Sequence, residues 1–458
     1  MSSLLNIFRP AANSPEIQDQ EIIKSDYKYW RVRILYSTLI GYALYYFTRK
    51  SFTFAMPGLI EDLHFDKADL GLIGSILYIS YGVSKFANGI ISDLSSPRYF
   101  MALGLILTGF CNILFGMSSS FIFLAIFWGL NGWFQGFGWP PCTRFLTQWY
   151  SQNERGSWWS TWSIAHNVGA FTIPWIVGAS LYFFDWRFAM FVPGAICILG
   201  GFFLINRLRD TPQSIGLPPI EVYRNDFAGV NPKGVDQKLT AKEIFMEYVV
   251  KNKYIWLLSF ASFFLYVVRT GLGDWTALFL YEQKGYSRLA ASGYVSIFEV
   301  GGFFGGLSAG WASDKLFGAR RVSVCVLCAI GILISVSMFW FVPKGYSWLD
   351  SSAIFLMGFM VFGPQVLIGV AAAELSHKNA AATATGFAGC FGYMGAAMSG
   401  YPLGKITQLL GWDMFFIVLI LCCVCLILFL APMWSVKEYH RPVVPLKDLK
   451  KGDTPEFA

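Results

Sequence analysis

Apolar residues run in long blocks along this chain, with short polar breaks between them. The first blocks fall near 33–58, 68–92, 99–117, 121–148, 157–183 and 187–206. A polar stretch, 207–252, holds Pro212, Pro218, Pro219 and Pro232. A second set of blocks follows near 254–282, 290–313, 321–342, 348–375, 380–409 and 413–434. A bilayer core about 30 Å thick takes about 20 predominantly apolar residues per helix. Blocks of this length therefore predict an all-α membrane protein: six spans, a linker and six more. Ala241–Val250 within the linker reads as one short amphipathic helix.

Composition agrees: of 458 residues, 55% are hydrophobic and only 14% charged, where soluble domains carry about 25% charged residues. The nine cysteines lie in or beside apolar runs, as small packed hydrophobes do. Cys325 and Cys328 have half of a zinc-site spacing but no second pair to match, so neither metal nor cofactor is expected. The first thirty residues lack the basic start, apolar core and cleavage site of a signal peptide, and read as a cytoplasmic tail.

Lys and Arg crowd one set of loops: Arg31, Arg33, Arg98, Arg207, Arg209, Lys251, Lys253, Lys315, Arg320, Arg321 and the tail lysines. The opposite set is poorer in them, and its first loop is acidic. Positively charged loops stay inside. The pattern predicts an inner (plasma) membrane protein of bacterial type with both termini and the linker cytoplasmic. The formal charge of +7 then reports topology and the lipid bilayer, not nucleic-acid binding.

The two sets repeat each other. Gly89-Ile-Ile-Ser-Asp93 after the second span matches Gly310-Trp-Ala-Ser-Asp314 after the eighth, and Tyr46-x-x-Arg49 in the first matches Tyr266-x-x-Arg269 in the seventh. The offsets are 221 and 220 residues. A duplicated six-helix unit follows, with residues 1–206 and 253–436 as pseudo-symmetric halves and 437–458 as a tail. Parallel repeats of this kind define the major facilitator fold, with its substrate site at the midplane between halves.

Charges inside membrane helices are costly and mark function by default. Here they are Arg49, Lys50, Lys85, His166, Arg269, Asp274, Glu299 and Glu374. The repeat places Arg49 and Arg269 at equivalent positions, so they face each other across the cavity. Guanidinium forks grip phosphate or carboxylate, and a phosphate monoester of about −1.5 to −2 charges nearly neutralises such a pair. Alternatively, each arginine pairs with Asp274 or Glu299. Tyr42, Tyr46 and Arg49 share one helical face, where the hydroxyls either bond phosphate or simply pack. Lys85 offers a point charge or an ion pair. His166 can bond phosphate, titrate near neutral pH, or join two helices. The glycines 301, 302, 305, 306 and 310 form small-residue stripes for close helix packing.

With these residues placed, the chain resembles the organophosphate:phosphate antiporters of the major facilitator superfamily over nearly its whole length. Tyr45-Tyr46-Phe47-Thr48-Arg49-Lys50, Gly132-Trp-Phe-Gln-Gly136-Phe-Gly138-Trp-Pro-Pro-Cys-Thr-Arg144, Glu154-Arg155-Gly156, Ala165-His166-Asn167-Val168-Gly169 and Arg209-Asp-Thr-Pro-Gln213 carry the resemblance. It implies a phosphate site of Arg49, Arg269, Lys85, His166, Tyr42, Tyr46, Tyr266 and Tyr393, and buried acids at Asp274, Glu299 and Glu374 in the sugar pocket or gate. Where the glycerol 3-phosphate branch has asparagine and tyrosine beside the organic moiety, this chain has Ser163 and Phe362. Val361-Phe-Gly-Pro-Gln365 and Ala371-Ala-Ala-Glu-Leu-Ser-His377-Lys378 are similar to the hexose-phosphate branch, including its transporter-like sensor. The resemblance implies exchange of a hexose phosphate, glucose 6-phosphate foremost, for inorganic phosphate. If the chain is instead a sensor, it implies a membrane-kinase partner. No G-x-x-x-x-G-K-[ST] loop marks an ATP-driven pump, and no enzyme constellation is present.

Overall fold

A computed structural model describes residues 9, 11–93, 95–225, 246–318, 320–376 and 381–436. Residues 241–245 of the expected linker helix, His377 and Lys378, and the tail 437–458 lie outside them; Met246–Val250 forms a helical turn.

Among the described residues every regular element is helical, and the helices make twelve membrane-length segments. The first half comprises Gln20–Leu63, Lys67–Asp93, Pro97–Met117, Phe121–Gln135 continued by Trp139–Trp149, Gln152–Phe183 and Phe188–Arg207. The second comprises Lys253–Phe279, Arg288–Lys315, Arg321–Phe341, Ser347–Glu374, Ala381–Met398 continued from Tyr401, and a twelfth ending at Leu430. Tyr401–Leu430 is unbroken except at Gly411, whose φ of 82° and extended ψ turn the chain back between the eleventh and twelfth spans. A side chain resists that conformation, whereas glycine accepts it.

The first span has 44 residues, about 66 Å at 1.5 Å per residue, so it extends well beyond the hydrocarbon. Asp19 caps it, accepting from the amides of Glu21 at 2.9 Å and Ile22 at 3.4 Å. Its projecting start is tied to the linker, where the Tyr27 hydroxyl donates to the Pro218 carbonyl at 2.5 Å, and to the start of the fifth span, where Arg31 pairs with Glu154 at 2.6 Å.

Each half has its own apolar core. One gathers around Tyr45, Phe115, Trp128 and Trp149, the other around Leu258, Phe339, Phe415 and Leu419. Part of the glycine stripe packs closely: Gly301 and Gly305 lie against the Phe355 and Phe359 carbonyls of the tenth span. Gly302 meets the Phe362 ring of that same tenth span, while Gly306 and Gly310 face open space, so three of the five glycines make the helix contact.

The halves meet through the first span on the seventh, the second on the eleventh and the fifth on the eighth. Phe171 accepts from the Ser296 hydroxyl at 2.9 Å. The break in the eleventh span at Ser399–Gly400 frees backbone groups, and the other half satisfies them. Ser75 of the second span donates to the Ala397 carbonyl at 2.6 Å and accepts from the Tyr401 amide at 2.8 Å. Further from the linker, Arg288 and Tyr281 both reach Glu61, and Lys67 pairs with Glu282 at 3.0 Å. These contacts seal the face opposite the linker.

Candidate functional site

The centre of the molecule is a chain of contacts from one arginine to the other. The Arg49 guanidinium lies over the Tyr46 ring at 4.7 Å, and the Tyr46 ring is 6.2 Å from His166. His166 lies nearly parallel to Phe362 at 6.2 Å, and the Arg269 guanidinium lies over the Phe362 ring at 5.1 Å. Ser163 sits one turn before His166. Both guanidiniums act electrostatically on Tyr46 and His166. Contacts thus run from Arg49 to Arg269 through Tyr46, His166 and Phe362.

Arg49 is held by an amide. Its Nε and Nη2 donate to Gln135 Oε1 at 3.1 and 3.0 Å. Gln135 in turn donates to Tyr45 O at 3.2 Å, Thr48 Oγ1 at 3.0 Å and Asn131 Oδ1 at 3.3 Å, while Asn131 donates to Thr48 O at 2.8 Å. The fourth span makes this possible by ending its first segment at Gln135 and restarting at Trp139 with prolines in its first turn. Arg269 has no such amide: its Nε is buried without a partner, and its guanidinium lies over the Tyr266 and Phe362 rings. A buried donor left without a partner is costly, and at Arg269 that donor is Nε.

Lys85 adds a third cation. Its ammonium lies over Trp139 at 5.4 Å and Tyr393 at 5.3 Å, with no carboxylate at ion-pair distance among the described residues. Tyr393 packs edge-on against Tyr81 at 5.0 Å and lies 6.0 Å from Tyr266, while Tyr81 also faces Arg49 at 4.6 Å. Tyr42 packs against Tyr46, Trp139 and Trp162. Ring contacts thereby link Arg49, Lys85, Tyr42, Tyr46, Tyr81, Tyr266 and Tyr393.

The acids take other places. Asp274 pairs with Lys50 at 2.6 Å and accepts from the Tyr78 hydroxyl at 2.6 Å and Thr53 at 3.3 Å. It therefore bonds the first half and leaves both arginines free of it. Beside it a small cavity of about 20 Å³, lined by Arg49, Thr53, Tyr78 and Asp274, has room for about one water. Glu299 is buried near Arg269 and Lys50 with its Oε2 unpartnered. The pairing of each arginine with Asp274 or Glu299 is thus absent. Glu374 does not join the site: Arg321 grips it with Nε at 3.2 and 3.1 Å and Nη2 at 3.1 Å, and also reaches Asp314. This places it at the linker-side end of the tenth span, in a structural ion pair.

Lys50, named among the intramembrane charges, pairs with Asp274, and Gln135, Tyr78 and Tyr81 stand beside these residues although the sequence reading did not single them out. Signals existed for two of the three. Asn131 and Gln135 are polar residues four apart in an apolar run, and Tyr81 shares a helix face with Lys85.

Residues 38–400 match the Major Facilitator Superfamily. The chain is 52% identical to a probable hexose phosphate transport protein of Chlamydia trachomatis, over 96% of this chain and 98% of that one. It is 47% identical to the membrane sensor protein UhpC of Salmonella typhimurium, covering 95% and 98%, and 41% identical to a glycerol-3-phosphate transporter of Bacillus subtilis, covering 94% and 98%. In fold it is similar to the nucleoside transporter NupG, with a TM-score of 0.71 at 14% identity, over 88% of this chain and 100% of that one. The chain belongs to the major facilitator superfamily, a family of membrane transporters rather than enzymes, and within it to the organophosphate:phosphate antiporter branch.

Proposed function

We propose that this protein imports a hexose phosphate, glucose 6-phosphate foremost, in exchange for inorganic phosphate by alternating access. The observation that carries this reading is the pair of symmetry-related arginines, one of them with its buried Nε unpartnered, on either side of His166 and Phe362. Arg49, Arg269 and Lys85 supply three positive charges and Glu299 at most one negative charge, which suits a dianion. Phosphate bridging the arginines draws the halves together and stabilises the closed intermediate, as differential binding requires. With the termini cytoplasmic, the seal through Glu61, Lys67 and Ser75 lies outside, and the resting state faces inward. Lys50–Asp274 then serves as the midplane latch that opening must break.

Ser163 and Phe362 would line the sugar end. Liposomes loaded with phosphate and containing the purified protein should accumulate labelled glucose 6-phosphate, and phosphate-free liposomes should not. Equal uptake into both overturns the exchange reading. The likeness to a membrane sensor favours a second reading, in which the same ligand signals to a membrane kinase; sustained flux in the same assay excludes it.

A further inference from the structure

Four arginines gather on the linker side, around the last turn of the sixth span. Arg33 donates Nε to the Arg207 carbonyl and Nη2 to the Asn206 carbonyl, both at 3.1 Å. Arg98 donates Nε to the Ile205 carbonyl at 2.7 Å. Arg209 donates Nη1 to the carbonyls of Leu208 at 2.7 Å and Asn206 at 3.1 Å. The Arg207 guanidinium lies over Phe203 at 5.8 Å. Free carbonyls at a helix end want donors; together with the Arg33 Nη1 bond to the Tyr29 hydroxyl, this engages all three nitrogens of Arg33 and one nitrogen each of Arg98 and Arg209. It neutralises no charge.

The acid beside them is already occupied. Asp210 accepts from Ser96 Oγ at 2.8 Å, the Ala11 amide at 3.0 Å and the Arg98 amide at 3.3 Å. Among the described residues none of the four guanidiniums makes an ion pair. Burial, and after it the neighbouring Arg98 and Arg33 charges, pull the Arg209 guanidinium below its ordinary value. Immediately beneath the cluster, Leu199 and Phe202 of the same span are 69% and 59% exposed. In a membrane-spanning helix such residues face acyl chains.

We propose that Arg33, Arg98, Arg207 and Arg209 form a binding site for the phosphodiester headgroup of an anionic phospholipid, whose acyl chains lie along Leu199 and Phe202. Basic pockets between membrane helices bind such headgroups, and guanidinium matches phosphate oxygens in bidentate fashion. The apolar face running into the cluster selects a lipid over free phosphate. The site is separate from the central cavity and independent of which solute is carried.

The test uses the full chain in detergent, with native mass spectrometry reading retained lipid and thermal unfolding reading stabilisation. Phosphatidylglycerol should bind at least tenfold more tightly than phosphatidylcholine. Arg207 contributes no side-chain hydrogen bond, so R207Q leaves the capping bonds in place. R207Q should weaken phosphatidylglycerol about fivefold, and R207Q with R209Q roughly thirtyfold, at the usual worth of an arginine beside an anionic surface. Stabilisation by inorganic phosphate, which enters the central cavity, should be unchanged. Equal retention of both lipids by the unmodified protein overturns the proposal, as does undiminished phosphatidylglycerol binding in R207Q. Loss of phosphate stabilisation with lipid retained would assign the cluster to the free ion and also overturn it. If the double variant unfolds, R207Q alone decides.

Discussion

Arg49 and Arg269 occupy matching places in the two halves, each over the ring of the tyrosine three residues earlier, at 4.7 and 5.9 Å. Beyond that ring their surroundings differ. The fourth span of the first half offers Gln135, which takes two donors of Arg49. The fourth span of the second half offers Phe362, an aromatic face that takes none. Duplication preserved where the charges sit, while the neighbouring helix decided how tightly each is held. A guanidinium pinned by a neutral amide keeps its remaining donors aimed and its charge intact. In Arg269 the buried Nε has no hydrogen-bond partner. On the proposed reading, Arg49 pre-organises the site, and Arg269 provides the interaction that distinguishes the loaded state from the empty one.

The strongest way to break this comparison is to remove the forks. Arg49→Lys and Arg269→Lys each keep the charge and lose bidentate geometry. With charged hydrogen bonds contributing about 1.5–3 kcal/mol each, phosphate exchange in proteoliposomes should fall roughly a hundredfold or more for either. Near-normal exchange in one of them would mean that the site rests on a single arginine.

Gln135→Ala makes the two halves alike by releasing Arg49. Apparent phosphate affinity should weaken about tenfold, since position is lost but charge remains. Affinity unchanged within twofold, measured by competition for exchange, would show that the amide has no part in aiming Arg49.

A finer difference concerns the organic end. Glucose 6-phosphate should outcompete glycerol 3-phosphate by about tenfold, which needs only ~1.4 kcal/mol. Ser163→Asn with Phe362→Tyr adds polar groups on both sides of His166 and should narrow that ratio. A ratio favouring glycerol 3-phosphate in the unmodified protein would sink the hexose assignment while leaving the phosphate grip intact.

The smallest effect is expected at the rim. The Glu61–Arg288 pair is partly exposed, with side chains 41% and 29% accessible, and such pairs contribute about 0–1 kcal/mol. Glu61→Gln should change the exchange rate a few-fold at most, with the difference shrinking as salt is raised. A change as large as that of the arginine variants would move the principal latch from Lys50–Asp274 to the outer face.

Twelve helices were legible in the amino-acid order, and so was the Tyr-x-x-Arg placement that sets Arg49 and Arg269 each over its own tyrosine; the place of Glu374 was not. Apolar run length and the Tyr-x-x-Arg spacing are local properties, and a bilayer permits few other solutions. What tertiary structure alone decided is partnership. Asp274 could have met an arginine but met Lys50, and Glu374 joined Arg321 instead of the cavity, because the rotation of each helix about its axis sets which neighbour a side chain faces. The same holds for Gln135 beneath Arg49 and for Phe362 between His166 and Arg269. These contacts join residues 86 to 224 positions apart in the cases of Gln135 and Asp274, and no spacing within one span encodes them. Packing of one helix surface into another chooses among pairings that hydropathy leaves equivalent.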